Sequence, residues 1–318
     1  MCFPDGGFEL NYAMKKTLIK LIPNFLIRRI RLKPILKSHR KVAGYWEEVV
    51  QKYQKGEIKK WNYEAKKTVP QKVIWQYWGQ GVEDRSALPE VVQICFDSVD
   101  RHKGEYEVIR LSDETIKEYI DLPQFVFDKL NNNKQFTRTF FSDLLRVALL
   151  ATYGGVWLDA TILLTGELSE EYAQLDYFMY QRSDEEKHKR YWENVYAPYF
   201  SWHKEFKVKL LNSIIFSKRD NIVIKTILDL LLYFWEQEQE IQEYFFFQIL
   251  YQVLVEGTLA KYRCPIENDC IPHIIQTIIN GDFPYYTFEE AMAKTTMHKM
   301  AYYDEEGIKK LRSILSYE

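Results

Sequence analysis

Residues 137–165 read TRTFFSDLLRVALLATYGGVWLDATILLT, and this run constrains the fold more than any other part of the chain. A helix from Thr139 to Tyr153 would carry apolar residues on nearly every side, so it must be enclosed rather than half-exposed. Gly154-Gly155 ends it, because a left-handed helix terminus tolerates glycine best. Val156 to Leu164 follows at once and reads as a strand with one carboxylate, Asp159, in its middle. Upstream, Lys72 to Trp78 (KVIWQYW) reads as a short buried strand ended by Gly79-Gln80-Gly81. Pro89 to Arg101 reads as a helix with proline at its start, and Tyr106 to Leu111 as a second strand. Ser112 then caps a helix toward Ile120. Alternating strands and helices predict an α/β layer with a mainly parallel sheet.

Charge divides the 318 residues into two parts. Residues 1–70 hold 16 Lys and Arg against 6 Asp and Glu, whereas residues 71–318 hold 27 against 39. Leu18, Leu21, Ile22, Phe25 and Leu26 share one face of a helix from Met14 to Arg31, which Pro23 should kink. Residues 1–70 therefore read as a basic, amphipathic helical extension suited to an anionic partner, and residues 71–318 as the main domain. Lys20 breaks the apolar stripe and no small-residue cleavage site follows, so the segment does not read as a secretory signal, and Met14 is a second candidate start. The acidic body argues against a nucleic-acid-binding core, whose phosphate contacts need Lys and Arg. No apolar run reaches the roughly 18–20 residues of a membrane span. Cys2, Cys95, Cys264 and Cys270 form no CxxC pair, which speaks against a zinc ribbon or a disulfide framework and for a reduced, cytoplasmic setting.

Three residues in the central run, Asp143, Arg146 and Asp159, draw attention to chemistry. Asp143 and Arg146 lie three apart and share a helix face. On an exposed helix this would be an ordinary ion pair, but burying charge is costly unless the groups are paired or given to a ligand. Strand alternation puts Trp157, Asp159 and Thr161 on one face. A carboxylate there either ligates a metal or ligand at the sheet's crevice or merely satisfies backbone amides as the strand ends. Glu289-Glu290 and Asp304-Glu305-Glu306 fit helix starts, where they complement the dipole, and Tyr244 to Leu250 (YFFFQIL) fits core better than an acceptor platform.

The pattern S-D-L-L-R-x6-Y-G-G-V-W-L-D-A-T resembles the capsular polysaccharide synthesis proteins, relatives of the DXD-motif sugar transferases of glycosyltransferase family 32. I-W-Q-Y-W-x-Q-G at Ile74 to Gly81 and P-x5-C-x2-S at Pro89 to Ser98 are similar to that family's N-terminal signature. Fainter echoes are Asn212, the aromatic segment Tyr244 to Gln248, and His298-Lys299, so the likeness spans about residues 70–303.

The resemblance implies a GT-A-like, Rossmann-type fold that binds a nucleotide-sugar with Mn2+ or Mg2+ and transfers its hexose, with retention, to a saccharide acceptor. Trp75, Gln76 and Tyr77 would lie against the nucleotide, and Ser142, Asp143 and Arg146 against the ribose and donor sugar. Asp159 would ligate the metal as the first Asp of the DXD motif, whose second acidic position is Thr161 here. Asn212 and Lys299 would complete the donor site and His298 would be a second metal ligand. The acceptor would be lipid-linked and the basic arm would hold the enzyme on the inner face of an anionic membrane. The alternative is a catalytically silent nucleotide-sugar-binding or assembly protein of the same fold, which Thr161 keeps open.

Overall fold

The structure is a computed structural model that describes residues 24–281 and 283–315. In chain order the longer elements are α1 (Asn24–Gln54), β1 (Val73–Tyr77), α2 (Glu90–His102), β2 (Glu107–Leu111), α3 (Gln124–Asn132), α4 (Arg138–Tyr153), β3 (Gly155–Leu158) and β4 (Ile162–Leu164). There follow β5 (Tyr177–Gln181), β6 (Leu210–Ser217), α5 (Ile222–Gln237), α6 (Phe246–Glu256), α7 (Ile274–Asn280), β7 (Met297–Lys299) and α8 (Glu305–Leu315). The expected α/β architecture is therefore present.

Five strands form one sheet in the order β2-β1-β3-β6-β5. β1 runs parallel to both β2 and β3, but β6 runs antiparallel to both β3 and β5, so the sheet is mixed rather than mainly parallel. Strands β1, β5 and β6 are buried along their whole length, and their near-continuous apolar sequences are what two-sided burial demands. Helix α4 is buried through most of its length and packs on α5.

The Gly154-Gly155 stop works as read. Both have positive φ, 74° and 97°, and a Cβ on Gly155 would lie 2.6 Å from the Val73 carbonyl oxygen. Only glycine lets β3 leave α4 and enter directly between β1 and β6.

Two further expectations need correction. Val156 to Leu164 is not one strand. Asp159 accepts the Ile162 N–H at 2.9 Å and donates its own N–H to the Ser213 carbonyl at 2.9 Å, making a turn at 159–162. Asp is well suited to open such a turn. The chain then passes into a separate two-stranded ladder in which β4 pairs antiparallel with β7. The helix expected from Ser112 to Ile120 is only a single 3₁₀ turn, Ile116–Glu118, because Ser112 gives its N–H to the Thr115 hydroxyl and Pro123 soon follows.

The apolar face read at Leu18–Leu26 and the kink at Pro23 lie outside the residues whose side chains are described. Further along α1, a second stripe at Leu36, Val42, Ala43, Trp46, Val49 and Val50 joins the main core. Trp46 is fully buried, donates from Nε1 to the Phe246 carbonyl at 3.1 Å and stacks on the Phe246 ring. Two groups from residues 53–61 meet Asp229 on α5: the Tyr53 hydroxyl at 2.8 Å and the Trp61 N–H at 2.7 Å. Arg31, Lys33, Lys37, Arg40 and Lys41 remain exposed on the other side of the helix. Among the described residues no helix is long and apolar enough to cross a membrane.

Candidate active site

The turn after β3 opens at the carboxyl end of the central strand, where ligands commonly bind in open α/β sheets. A cavity of about 570 Å³ lies there, and a smaller one of about 350 Å³ adjoins it; Asp159, Thr161, Lys299, Tyr244 and Tyr302 border both. The first half of α4 supplies one wall of the larger cavity, because Thr139, Ser142, Asp143 and Arg146 recur at helical spacing on one face.

Arg146 is the hub. Its Nη2 lies 3.2 Å from Asp143 Oδ1 and 3.3 Å from Asp159 Oδ1. It also donates to the Asn212 carbonyl on β6 at 2.5 Å and to the Ser142 carbonyl and hydroxyl at 3.0 and 2.9 Å. The guanidinium fork is thus largely committed to protein acceptors, so Arg146 positions the carboxylates more than it offers itself to sugar hydroxyls. Asn212 donates to Asp143 at 2.8 Å and accepts from Gln248 at 3.0 Å. The Gln248 Oε1, buried on the cavity wall, has no protein partner.

Asp159 is fixed from several sides. Its Oδ1 accepts from Trp157 Nε1 at 2.8 Å, and its Oδ2 accepts from Lys299 Nζ at 3.1 Å. Lys299 also donates to the Thr161 hydroxyl at 2.8 Å. The Asp159 and Lys299 side chains each keep 22% of their surface exposed, enough for a ligand to reach both. Burial works to raise the Asp159 pKa, but the charges of Arg146 and Lys299 outweigh it and hold the carboxyl down to about 2. Asp143 goes the other way. Burial and the nearby Asp159 charge outweigh Arg146 and push it up to about 6. Two carboxylates that share one arginine are therefore held apart in acidity by their surroundings.

Among the residues expected at the site, Ser142, Asp143, Arg146, Asp159, Thr161, Asn212 and Lys299 come together, and Tyr77 borders the smaller cavity. Trp75 and Gln76 do not reach it. Trp75 is buried, donates to the Gly154 carbonyl at 3.0 Å and packs against Tyr119 and Tyr153. Gln76 is buried and accepts from Arg110 at 2.9 Å. His298 also falls outside the cavity lining. Alternation along β7 sends Lys299 to Asp159 and turns His298 the other way, with its Nε2 3.0 Å from the Thr165 hydroxyl. Burial lowers the His298 pKa to about 3.

One wall residue had no signal in the sequence. His273 lines the larger cavity, and its Nδ1 donates to the Asp269 carbonyl at 2.7 Å, leaving Nε2 as the acceptor nitrogen. Burial lowers its pKa to about 4, so the ring is neutral at pH 7. The mouth carries exposed aromatic side chains, Tyr196, Tyr244 and Tyr302, of which Tyr302 is 63% exposed.

The sequence matches the profile of the capsular polysaccharide synthesis proteins over residues 28–317. The chain belongs to that family. No curated protein matches it in sequence. Among solved structures it is similar to the PaToxG glycosyltransferase at 16% identity, covering 73% of this chain and 83% of that chain with a TM-score of 0.33. So distant a likeness assigns no residue.

For this member of the capsular polysaccharide synthesis family, the side chains present do not fit the divalent cation that the resemblance implies. Asp159 Oδ2 and Thr161 Oγ1 of the D-A-T motif both meet the Lys299 ammonium. Asp143 is turned to Asn212 and Arg146. Among the described residues no three His, Cys, Asp or Glu side chains gather as a metal site. The family resemblance suggested the motif, but the partner that fills it comes from a distant strand.

Proposed function

We propose that the protein is a glycosyltransferase that moves a hexose from a nucleotide-sugar, UDP-linked, to a saccharide acceptor in capsular or surface polysaccharide synthesis. One observation carries the reading: a carboxylate flanked by a lysine and an arginine opens, beyond the central strand, into a cleft with a tyrosine rim. Fixed cations suit a donor whose leaving group is a diphosphate, since they need no reorganisation as its charge develops. Tyrosines offer an apolar face to a sugar ring and a hydroxyl to its edge. The neutral His273 and the unpartnered Gln248 Oε1 offer acceptors to sugar hydroxyls on the inner wall. The resemblance to family 32 supports retention of configuration at the transferred carbon.

Transfer belongs to residues 71–318 in this reading, and docking to the first 70. Arg31, Lys33, Lys37 and Lys41 on the outer face of α1 supply charge toward anionic lipid, at about 1 kcal/mol each near such a surface. A lipid-linked saccharide at the inner face of the membrane is the acceptor that fits this placement.

Incubating the protein with a panel of nucleotide-sugars and measuring nucleotide release, with and without saccharide acceptors, tests the proposal. Turnover of one donor, accelerated by an acceptor, is the expected result. Binding of a nucleotide-sugar without turnover under any condition would favour the silent sugar-nucleotide-binding reading, and absence of both defeats the assignment.

A further inference from the structure

The D-A-T turn and β7 are joined by more than the Lys299 side chain. Ladder pairing sets Lys299 opposite Ile162, and the Met300 N–H donates to the Thr161 carbonyl at 2.8 Å, so the backbone fixes where the lysine stem begins. Its ammonium lies 3.1 Å from Asp159 Oδ2 and 2.8 Å from Thr161 Oγ1, and it faces both cavities. The other Asp159 oxygen is engaged by Trp157 and Arg146. A divalent ion entering between Asp159 and Thr161 would meet a like charge at contact distance from both oxygens.

Resting on the sugar-nucleotide reading above, we propose that Lys299 is the resident cation of the donor site and makes binding of the donor diphosphate independent of a divalent metal. In the transfer, the bond between the anomeric carbon and the diphosphate oxygen breaks, and its electron pair stays on that oxygen. The acceptor oxygen bonds to the anomeric carbon, and its proton passes to the departing diphosphate. Lys299 remains protonated throughout and meets the growing charge as a compact ammonium, which suits phosphate oxygens. Asp159 and Thr161 hold the ammonium in place.

The test is calorimetric titration of the full chain with UDP, GDP, ADP, CDP and dTDP, first in excess EDTA and then in millimolar MnCl2. One nucleotide should bind the unmodified protein in EDTA with an affinity that Mn2+ changes by no more than about twofold. Lys299→Ala should bind it at least about tenfold more weakly in EDTA and regain affinity with Mn2+, because the freed oxygens of Asp159 and Thr161 become available to the ion. Binding by the unmodified protein that requires Mn2+, or tightens by about tenfold or more with it, overturns the inference and leaves the sugar-nucleotide reading standing. If none of the five nucleotides binds in either condition, the reading fails and takes the inference with it. The comparison in EDTA and Mn2+ on the unmodified chain decides the matter even if Lys299→Ala does not fold.

Discussion

Among the described residues, two buried arginine–aspartate sites differ in what they leave unmet. Arg182 and Asp269 are 1% and 0% exposed and pair through two contacts, at 2.7 and 2.8 Å. The remaining Arg182 donors go to the Tyr199 and Ser201 carbonyls, and the guanidinium lies over Tyr199, Phe200 and Trp202. That site is closed and satisfied. The Arg146 site divides one guanidinium between two carboxylates, leaves Gln248 Oε1 without a partner and exposes Asp159 and Lys299 to the cleft. The same residue types build a staple in one place and a candidate catalytic centre in the other. Satisfaction and access separate the two, not chemistry.

Three experiments break or sharpen this contrast. Asp269→Ala leaves Arg182 charged, buried and unpaired, so it should cost about 3–5 kcal/mol of stability in denaturant unfolding. A loss below about 1 kcal/mol would mean the closed site is not a staple.

Asp143 tests the opposite kind of site through pH. Its folded pKa, raised to about 6 from an ordinary 3.8, means that the folded protein holds this proton more tightly than the unfolded chain. Its contribution to stability is therefore fully present below 3.8 and lost as pH rises through about 6. Asp143→Asn does not titrate. Its stability relative to the unmodified protein should rise by up to about 3 kcal/mol between pH 4 and pH 7. Asp159, held down to about 2, loses its contribution only as pH falls well below this window. A pH-independent difference between Asp143→Asn and the unmodified protein would show that Arg146 fully compensates the burial of Asp143.

The smallest expected free-energy change falls on turnover rather than folding. Asp159→Ala should keep its melting temperature within a few degrees and lose donor turnover by roughly a hundredfold, equivalent to about 2.7 kcal/mol. Near-normal turnover in the folded variant removes Asp159 from the site.

Much of the site was legible in one continuous run. Helical spacing put Asp143 and Arg146 on one face, the family resemblance added Ser142, and enclosure of that helix made its charges conspicuous. Asp159 stood out as a lone carboxylate among apolar strand residues. The misread residues were all carried over from the family resemblance. Trp75 and Gln76 lie on a strand buried on both faces, where alternation does not tell which side chains approach a cleft. His298 and Lys299 are neighbours in sequence, but strand alternation sends them to opposite sides.

By itself, then, the sequence determined the elements whose signals are local: the buried helix, its glycine stop, the strands around it and the acidic position that follows. Apolar periodicity and the left-handed preference of glycine act over a few residues, so they can be read without the rest of the chain. Only the tertiary structure decided what Asp159 faces. Lys299 lies 140 positions away, and Asn212 and His273 arrive on other elements still. Their approach depends on β6 lying beside β3 and on the register between β4 and β7, which link distant segments and leave no trace in local spacing.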